Sequence, residues 1–273
     1  MPLTDHTSEL DPLLYPWDPP EVSGVMDGDG FLPLEPTAGL DRALAEADVA
    51  PLGSRSVVVS IGSNSSPAVM RRKFASYHRP VSPVLPLVRG RLHNIAVGHS
   101  AHVSRAGYIA AAPYPLTGTC IPVWVSWLDS RQLLAVEQTE PNYRRIRLDA
   151  EACPLELGQG EYPEDYSLFT SRWGVLTDDG GGKLPFLDQP ALFEMLAGLG
   201  AGSGPGVSAR VSAEIGAGNR AGNPVEECIS VFAGPPEQVI ERLGMPSVQA
   251  WAKDWFSSVG LAAPVDFNRL CAE

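Results

Sequence analysis

Residues 62–64, Gly-Ser-Asn, lie between an apolar run and a predicted helix, where backbone groups could bind an anion. The run Val57-Val58-Val59 predicts a strand, and Pro67 is typical of the first position of a helix. A strand that turns sharply through glycine into a helix directs unpaired N–H groups, and the positive end of the helix dipole, at one small volume. The pattern predicts an anion site. On spacing alone, the alternative that these residues only form a tight turn and cap a helix stays open.

The size of this predicted site fits a carboxylate or a developing oxyanion better than a phosphate. A phosphate-binding loop would continue into Gly-Lys-Ser or Gly-Lys-Thr, and no such sequence follows here. Residues 70–73 lie too far along the predicted helix to replace that lysine. The sequence therefore does not predict a nucleotide site at this loop.

Besides the loop, the sequence offers one cluster of side chains that can bind a metal: His93, His99 and His102. On a strand, His93 and His99 would share one face. No Asp or Glu occurs in residues 51–128 to complete such a site. We therefore predict neither a metal nor a cofactor.

The elements that would position these residues alternate between strand and helix patterns, as in an α+β fold. Strands are expected within residues 56–61, 89–98, 107–113, 121–128, 142–150 and 166–177, and we expect this sheet to curl into a barrel. Helices are expected within residues 39–50, 67–74, 129–140, 188–200, 235–244 and 247–260. Asp129 and Gln132 have the spacing of a capping box, and Pro141 is expected to end that helix.

The composition divides the chain into three regions. Residues 1–50 are an acidic arm rich in proline and glycine, residues 51–180 a core, and residues 181–273 a helical C-terminal extension with a glycine-rich loop at 198–222. The arm contains apolar side chains that a free tail would not keep in water, and we expect them to dock on the core. These side chains are Leu13, Leu14, Tyr15 and Trp17.

The stretch IGSNSSPAVMRRKF, residues 61–74, resembles the signature loop of the γ-glutamyl cyclotransferase-like family, usually Tyr-Gly-Ser-Asn followed by a helix with Met and Arg. Three later segments resemble that family in order and spacing: RGRLHNIAVG (89–98), GYIAAAP…TCIPVWVSWL (107–128) and LLAVEQTEPNYRRIRL (133–148). The resemblance covers roughly residues 56–150. It implies a γ-glutamyl cyclotransferase-like mixed β-barrel with flanking helices, to which this chain adds its helical C-terminal extension.

The resemblance also implies a reaction, in which the α-amine of a small γ-glutamyl substrate attacks its own γ-carbonyl. Closure yields 5-oxoproline and expels an amine or a shortened peptide. By position, Glu140 corresponds to the general acid/base, and Glu137 is the competing candidate. Pro141 favours Glu140, because it would turn that residue off the helix end and toward the loop. The implied substrate-binding residues are Ile61, Gly62, Ser63, Asn64, Ser65 and Tyr143.

The sequence departs from the family at two places near the implied site. Ile61 stands where the loop usually has tyrosine, which removes a hydroxyl and a ring from the edge of the pocket. Ala106-Gly107 replaces the Gly-Gly often found before the central strand. A second function therefore stays open: a catalytically inactive binding or regulatory module on the same fold.

The charge of the chain is divided unevenly, although its net value is −12. Residues 1–50 hold eleven acidic residues and one arginine, whereas residues 51–128 hold eight basic residues and no acidic one. Three interpretations stay open: the basic stretch attracts an anionic ligand, the arm neutralises it, or the stretch is simply a solvated face. The acidic total disfavours nucleic acid as a partner. No apolar run suggests a membrane span and the first residues resemble no leader, so we expect a cytoplasmic protein; protein partners stay open.

Overall fold

The computed structural model describes residues 10–34, 39–158, 163–178, 180–201, 230–258 and 260–267, which form a mixed α+β structure. The helices are α1 (Gly39–Glu46), α2 (Pro67–Ser76), α3 (Ser130–Gln138), α4 (Gln189–Ala201), α5 (Pro236–Gly244) and α6 (Pro246–Ser258). The strands are β1 (Gly24–Asp27), β2 (Gly30–Pro33), β3 (Ser56–Ser60), β4 (Leu85–His99), β5 (Ala111–Leu128), β6 (Tyr143–Arg147), β7 (Leu155–Leu157), β8 (Ser167–Ser171), β9 (Val175–Leu176) and β10 (Ala262–Ala263). Short 3₁₀ turns occur at Pro12–Leu14, Leu52–Ser54 and Ser63–Ser65.

One large mixed sheet dominates the fold, with the strand order β2-β1-β4-β5-β3-β8-β6 and β7 paired to β4. The β3–β8 pair is parallel, and the other pairs of this sheet are antiparallel. A closed barrel requires its two outermost strands to pair. In the described residues β2 and β6 stay at opposite edges, so the expected barrel is not confirmed and the sheet is open. The four residues of β2 end in Pro33, which lacks a backbone N–H to continue the ladder.

The centre of the sheet is a long hairpin formed by β4 and β5. The two strands expected within residues 107–128 are one continuous strand here. Pairing between β4 and β5 shifts register between His93 and Ile95, where Asn94 adopts φ = 60°. The Asn94 side chain accepts the Gly118 N–H and donates to the Ala152 carbonyl, so the irregular position is anchored on both sides. Beyond this bulge, β5 starts at Ala111 and borders the site described below.

The acidic N-terminal region supplies part of the sheet and of the core. Strands β1 and β2 form a hairpin around Gly28, which has φ = +54°, and β1 pairs with β4. Leu40 and Leu44 of α1 are fully buried in the main apolar core. The sequence predicted the helix of this region but neither of its strands.

The C-terminal helices form a second apolar core with the segment between β4 and β5. Buried residues of α4, α5 and α6 pack there against Ala101, Val103 and Ile109. The predicted capping box of α3 is confirmed, since the Asp129 carboxylate and the Gln132 side chain make the reciprocal bonds. Of the glycine-rich loop predicted at 198–222, all but the end of α4 lies outside the described residues. Among the described helices, none is long and apolar enough to cross a membrane.

Candidate active site

A cavity of about 640 Å³ lies where the end of β3, helix α2 and the turn after α3 face the segments 10–17 and 102–113. Six of the seven predicted site residues line it: Ile61, Gly62, Ser63, Asn64, Glu140 and Tyr143. Ser65 is the exception. It is buried behind the loop, and its hydroxyl donates to the Gly62 carbonyl over 2.8 Å. Ser65 therefore braces the loop and does not border the cavity.

The Gly-Ser-Asn loop is a tight 3₁₀ turn that leads directly into α2. The Ser65 N–H donates to the Gly62 carbonyl and the Ser66 N–H to the Ser63 carbonyl. Pro67 holds the first helical position, as the sequence predicted. Ser66 holds the N-cap position, although its side chain makes no capping bond. A Cβ atom on Gly62 would lie 2.4 Å from the Tyr15 hydroxyl oxygen, so only glycine fits here without a shift.

Glu140 lies just beyond the end of α3 and forms a closed triangle with two side chains of the loop and of α2. Its Oε1 atom accepts from Lys73 Nζ at 2.5 Å and from Asn64 Nδ2 at 3.0 Å. Lys73 Nζ also donates to Asn64 Oδ1 at 2.6 Å. The side chains of Lys73 and Glu140 are only 11% and 13% exposed, so the pair is shielded from water. The carboxylate is therefore held in one position at the loop.

Glu137, the competing acid, points elsewhere. Its Oε1 atom accepts from Arg145 Nε at 2.8 Å, in a pair whose side chains are each 36% exposed. Glu137 does not line the cavity. Between the two glutamates, the geometry favours Glu140 as the group that reaches a ligand at the loop.

Lys73 is a site residue that was not predicted from the sequence. It lies far along α2, yet its long side chain reaches back to Asn64. With Ser66 as the N-cap, Val69 and Lys73 are four residues apart and fall on the same side of α2. Both line the cavity, so the helical spacing was a usable signal.

Three tyrosines, Tyr15, Tyr108 and Tyr143, line the cavity together with Glu140. The Tyr143 hydroxyl donates to the Ala111 carbonyl at 2.9 Å, and the Tyr15 hydroxyl accepts the Ala111 N–H at 2.8 Å. Burial is the main cause that raises the pKa of Tyr15 and Tyr143, and it raises the pKa of Tyr108 to about 12. The charge of Glu140 acts in the same direction on all three. These phenols therefore stay protonated at neutral pH.

A polar network lies behind Tyr143. The Ser100 hydroxyl lies 2.5 Å from His102 Nδ1 and 2.6 Å from the Ser171 hydroxyl. Ser100 is fully buried and does not line the cavity, so this pair is not placed for nucleophilic attack. Burial lowers the pKa of His102 to about 4, and its ring contacts Tyr143 edge-on. The network supports the cavity wall.

The three histidines considered for metal binding have separate partners. His99 accepts the Leu187 N–H at 2.9 Å, whereas His93 lies 3.6 Å from Glu156 on the exposed face of β4. Within the described ranges, no group of three or more His, Cys, Asp or Glu side chains is placed to hold a metal ion.

Two exposed arginines, Arg72 and Arg105, also line the cavity. Both belong to the acid-free stretch of the sequence. Together with Lys73 they give this part of the cavity a positive character, which favours an anionic ligand.

No family model matches the chain, and no curated protein matches it in sequence. Two solved structures are similar in the arrangement of their elements. One is a γ-glutamyl cyclotransferase, with 10% identity, a TM-score of 0.37, and an alignment over 64% of this chain and 98% of that one. The other is an uncharacterized protein from Homo sapiens, whose crystal structure was treated by ensemble refinement. It has 9% identity, a TM-score of 0.36, and coverage of 65% and 99%.

Proposed function

We propose that this chain is a γ-glutamyl cyclotransferase-like enzyme that releases 5-oxoproline from a γ-glutamyl amine or peptide. The observation that carries the proposal is the position of the Glu140 carboxylate, which shares one cavity with the Gly62-Ser63-Asn64 loop and is hydrogen-bonded to Asn64. The sequence resemblance supplies the reaction, and the geometry supports it by bringing the implied acid and the implied binding loop together.

The reaction needs one proton to leave and one to arrive. The substrate's α-amine nitrogen forms a bond to the γ-carbonyl carbon and loses a proton, and the amide C–N bond breaks as the leaving nitrogen gains one. A single carboxylate beside both nitrogens can accept the first proton and deliver it to the second. We assign this relay to Glu140, with a typical contribution of about 10²–10⁴ in rate.

Lys73 and Asn64 would keep the Glu140 carboxylate in position during the relay. Each donates to the same oxygen, Oε1, and among the described residues no group donates a hydrogen bond to the second oxygen. That second oxygen is free to approach the substrate amine. Ile61, Gly62, Ser63 and Tyr143 would contact the glutamyl group, and Arg72 and Arg105 would attract an anionic substrate.

The test is a mass-spectrometric screen for 5-oxoproline released from γ-glutamyl amines, γ-glutamyl dipeptides and glutathione. We expect release by the wild-type protein and a loss of about 100-fold or more in Glu140→Gln. Glu137→Gln is the matched control, because it makes the same change three residues earlier, outside the cavity. It should retain activity within about twofold. Equal losses in both variants would contradict the role of Glu140.

A second candidate function is a binding or regulatory module without turnover. The short Lys73–Glu140 contact favours it, because an ammonium already held by the carboxylate competes with the substrate amine for the same charge. A folded wild-type protein that binds panel members but releases no 5-oxoproline from any of them would establish this alternative.

A further inference from the structure

The N-terminal segment Leu10–Trp17 is built into the cavity wall. The Asp11 side chain accepts the Leu13 N–H at 2.9 Å, and the Trp17 indole N–H donates to the Asp11 carbonyl at 2.8 Å. These bonds tie the segment into a compact turn around Pro12–Leu14. Leu13 packs on the core of the C-terminal helices, which fixes the turn from outside the cavity.

The ring of Tyr15 is held on both sides. It stacks on Tyr108 with ring centroids 4.6 Å apart and planes inclined by 18°, and Trp17 contacts it edge-on at 5.4 Å. Tyr15 is only 4% exposed. Such aromatic contacts fix the direction of the ring, and therefore the place of its hydroxyl.

The Tyr15 hydroxyl lies at the Gly-Ser-Asn loop, at the point where two backbone segments meet. It accepts the Ala111 N–H at 2.8 Å. Its oxygen is so close to Gly62 that a Cβ there would lie at 2.4 Å. A phenol from the N-terminal region is thus placed directly beside the loop that is predicted to bind an anion.

A phenolic oxygen that accepts a backbone N–H still carries one proton to donate. Within the described part of the chain, no carbonyl or carboxylate accepts it, and Tyr15 lines the cavity. Burial raises the pKa of Tyr15, so the proton stays on the oxygen at neutral pH. The cavity measures about 640 Å³ with Tyr15 in place, so this side chain leaves room for a ligand.

We infer that the Tyr15 hydroxyl donates a hydrogen bond to a carbonyl or carboxylate oxygen of the ligand bound at the Gly62-Ser63-Asn64 loop. The N-terminal segment is then a part of the binding site, contributed from far outside the loop and acid that the sequence analysis singled out. The identity of the ligand as a glutamyl compound rests on the proposed function, whereas the contact itself rests on the position of the hydroxyl.

Tyr15→Phe tests this inference, because it removes the hydroxyl and keeps the ring that stacks on Tyr108. The matched control is Tyr114→Phe, which makes the same change at a buried tyrosine of β5 outside the cavity. Binding of 5-oxo-L-proline and of L-glutamate, which need no turnover, is measured by titration calorimetry. We expect the dissociation constant for at least one of the two probes to rise about tenfold or more in Tyr15→Phe and to change less than twofold in Tyr114→Phe.

The melting temperature of each variant separates a lost contact from a lost fold, and we expect Tyr15→Phe to stay folded at the assay temperature. An unchanged dissociation constant in Tyr15→Phe, or a wild-type protein that binds neither probe, overturns the inference. A wild-type protein that binds a probe but never releases 5-oxoproline refutes the proposed function alone, and the Tyr15 contact is then decided by the binding constants. If the wild-type protein turns substrate over, kcat/KM should fall at least tenfold in Tyr15→Phe.

Discussion

The cavity has two walls that are built in different ways. The loop wall, residues 60–73 and 140–143, carries the loop, Lys73 and Glu140. The tyrosine wall, residues 10–17 and 102–111, carries Tyr15, His102 and Tyr108. The elements of the first are signalled by local patterns, although hydrogen bonds from Asn64 and Lys73 to Glu140 join residues 76 and 67 positions apart. In the second, a hydrogen bond joins residues 96 positions apart, and no local pattern indicates it. The proposed acid thus lies on a locally determined element, and the proposed ligand donor on a long-range assembly.

The two walls also rest on different supports. The loop wall follows β3, which lies between β5 and β8 inside the large sheet. The tyrosine wall rests on the C-terminal helices: the buried Gln189 side chain bonds both the N–H and the carbonyl of Ile109, at 2.8 and 3.0 Å. Gln249 of α6 donates to the Ser104 carbonyl. The helical extension therefore shapes the cavity without lining it.

Among substitutions that distinguish the two walls, we expect the largest effect for Lys73→Met in the loop wall. The substitution leaves a largely buried carboxylate with Asn64 as its remaining donor, and a buried charge without its counterion is unfavourable. We expect kcat for 5-oxoproline release to fall about 100-fold, equivalent to about 2.7 kcal/mol in the activation free energy. Steady-state kinetics on the best substrate of the panel measure it.

Arg71→Met is the matched control for Lys73→Met. It removes a positive charge from the same helix, but Arg71 faces Asp29 at 3.8 Å and lies outside the cavity. Its activity should change less than twofold. A Lys73→Met protein that is as active as this control would show that Glu140 needs no counterion.

The loop wall could be predicted from the sequence better than the tyrosine wall, because more of it is signalled by local patterns. The strand, the turn, Pro67 and the capping box of α3 are signalled by residues a few positions apart, so these parts of the loop wall could be predicted. Glu140 was assigned from the family resemblance, and Pro141 favoured it over Glu137. Lys73 needed the additional step of projecting a long side chain along a helix face. The sequence also predicted that Tyr15 docks on the core, but neither spacing nor composition indicates that its hydroxyl meets Ala111.

The sequence predicted a barrel instead of an open sheet, and it did not predict the N-terminal hairpin. Both outcomes depend on pairing between strands that are far apart in the chain. The stretch Gly24–Pro33 is rich in glycine and aspartate, which lowers its strand propensity, and its pairing with β4 is a long-range contact. An Asp-Gly step at Asp27-Gly28 between short apolar runs is nevertheless a hairpin signal. The pairing of β1 with β4 then places a further hairpin at the edge of the sheet.

The second largest effect is expected for the stability of the protein at low pH, which should depend on His102 in the tyrosine wall. The unfolded state binds a proton near the ordinary pKa of 6.5, whereas burial lowers the pKa in the folded state to about 4. Stability from the neutral ring is thus present above pH 6.5 and is lost as the pH falls toward 4. When the pH falls from 7.5 to 4.5, His102 should lower the unfolding free energy of the protein by about 2.5 kcal/mol.

His102→Asn removes this titration. Urea unfolding at pH 7.5 and 4.5 should show a drop that is smaller than in the wild-type protein by about 2.5 kcal/mol, even if the variant is less stable at both pH values. His78→Asn is the control, because His78 is exposed and lies outside the cavity. As a substitution at the surface, it should change the unfolding free energy at pH 7.5 by less than about 0.5 kcal/mol. A drop in His102→Asn as large as in the wild-type protein would contradict the prediction, because His102 would then not be the source of this pH dependence.

The smallest effect is expected for Gly107→Ala, which tests how the tyrosine wall rests on α5. Gly107 has φ = +90°, and a Cβ there would lie 2.4 Å from the Ile240 carbonyl oxygen. Gly118→Ala is the matched control, because Gly118 has φ = +82° and open space around it. The control should lose about 1 kcal/mol from backbone strain alone, and Gly107→Ala about 2 kcal/mol, because the helix must also shift. Urea unfolding measures both losses, and equal values would show that the wall does not depend on close packing against α5.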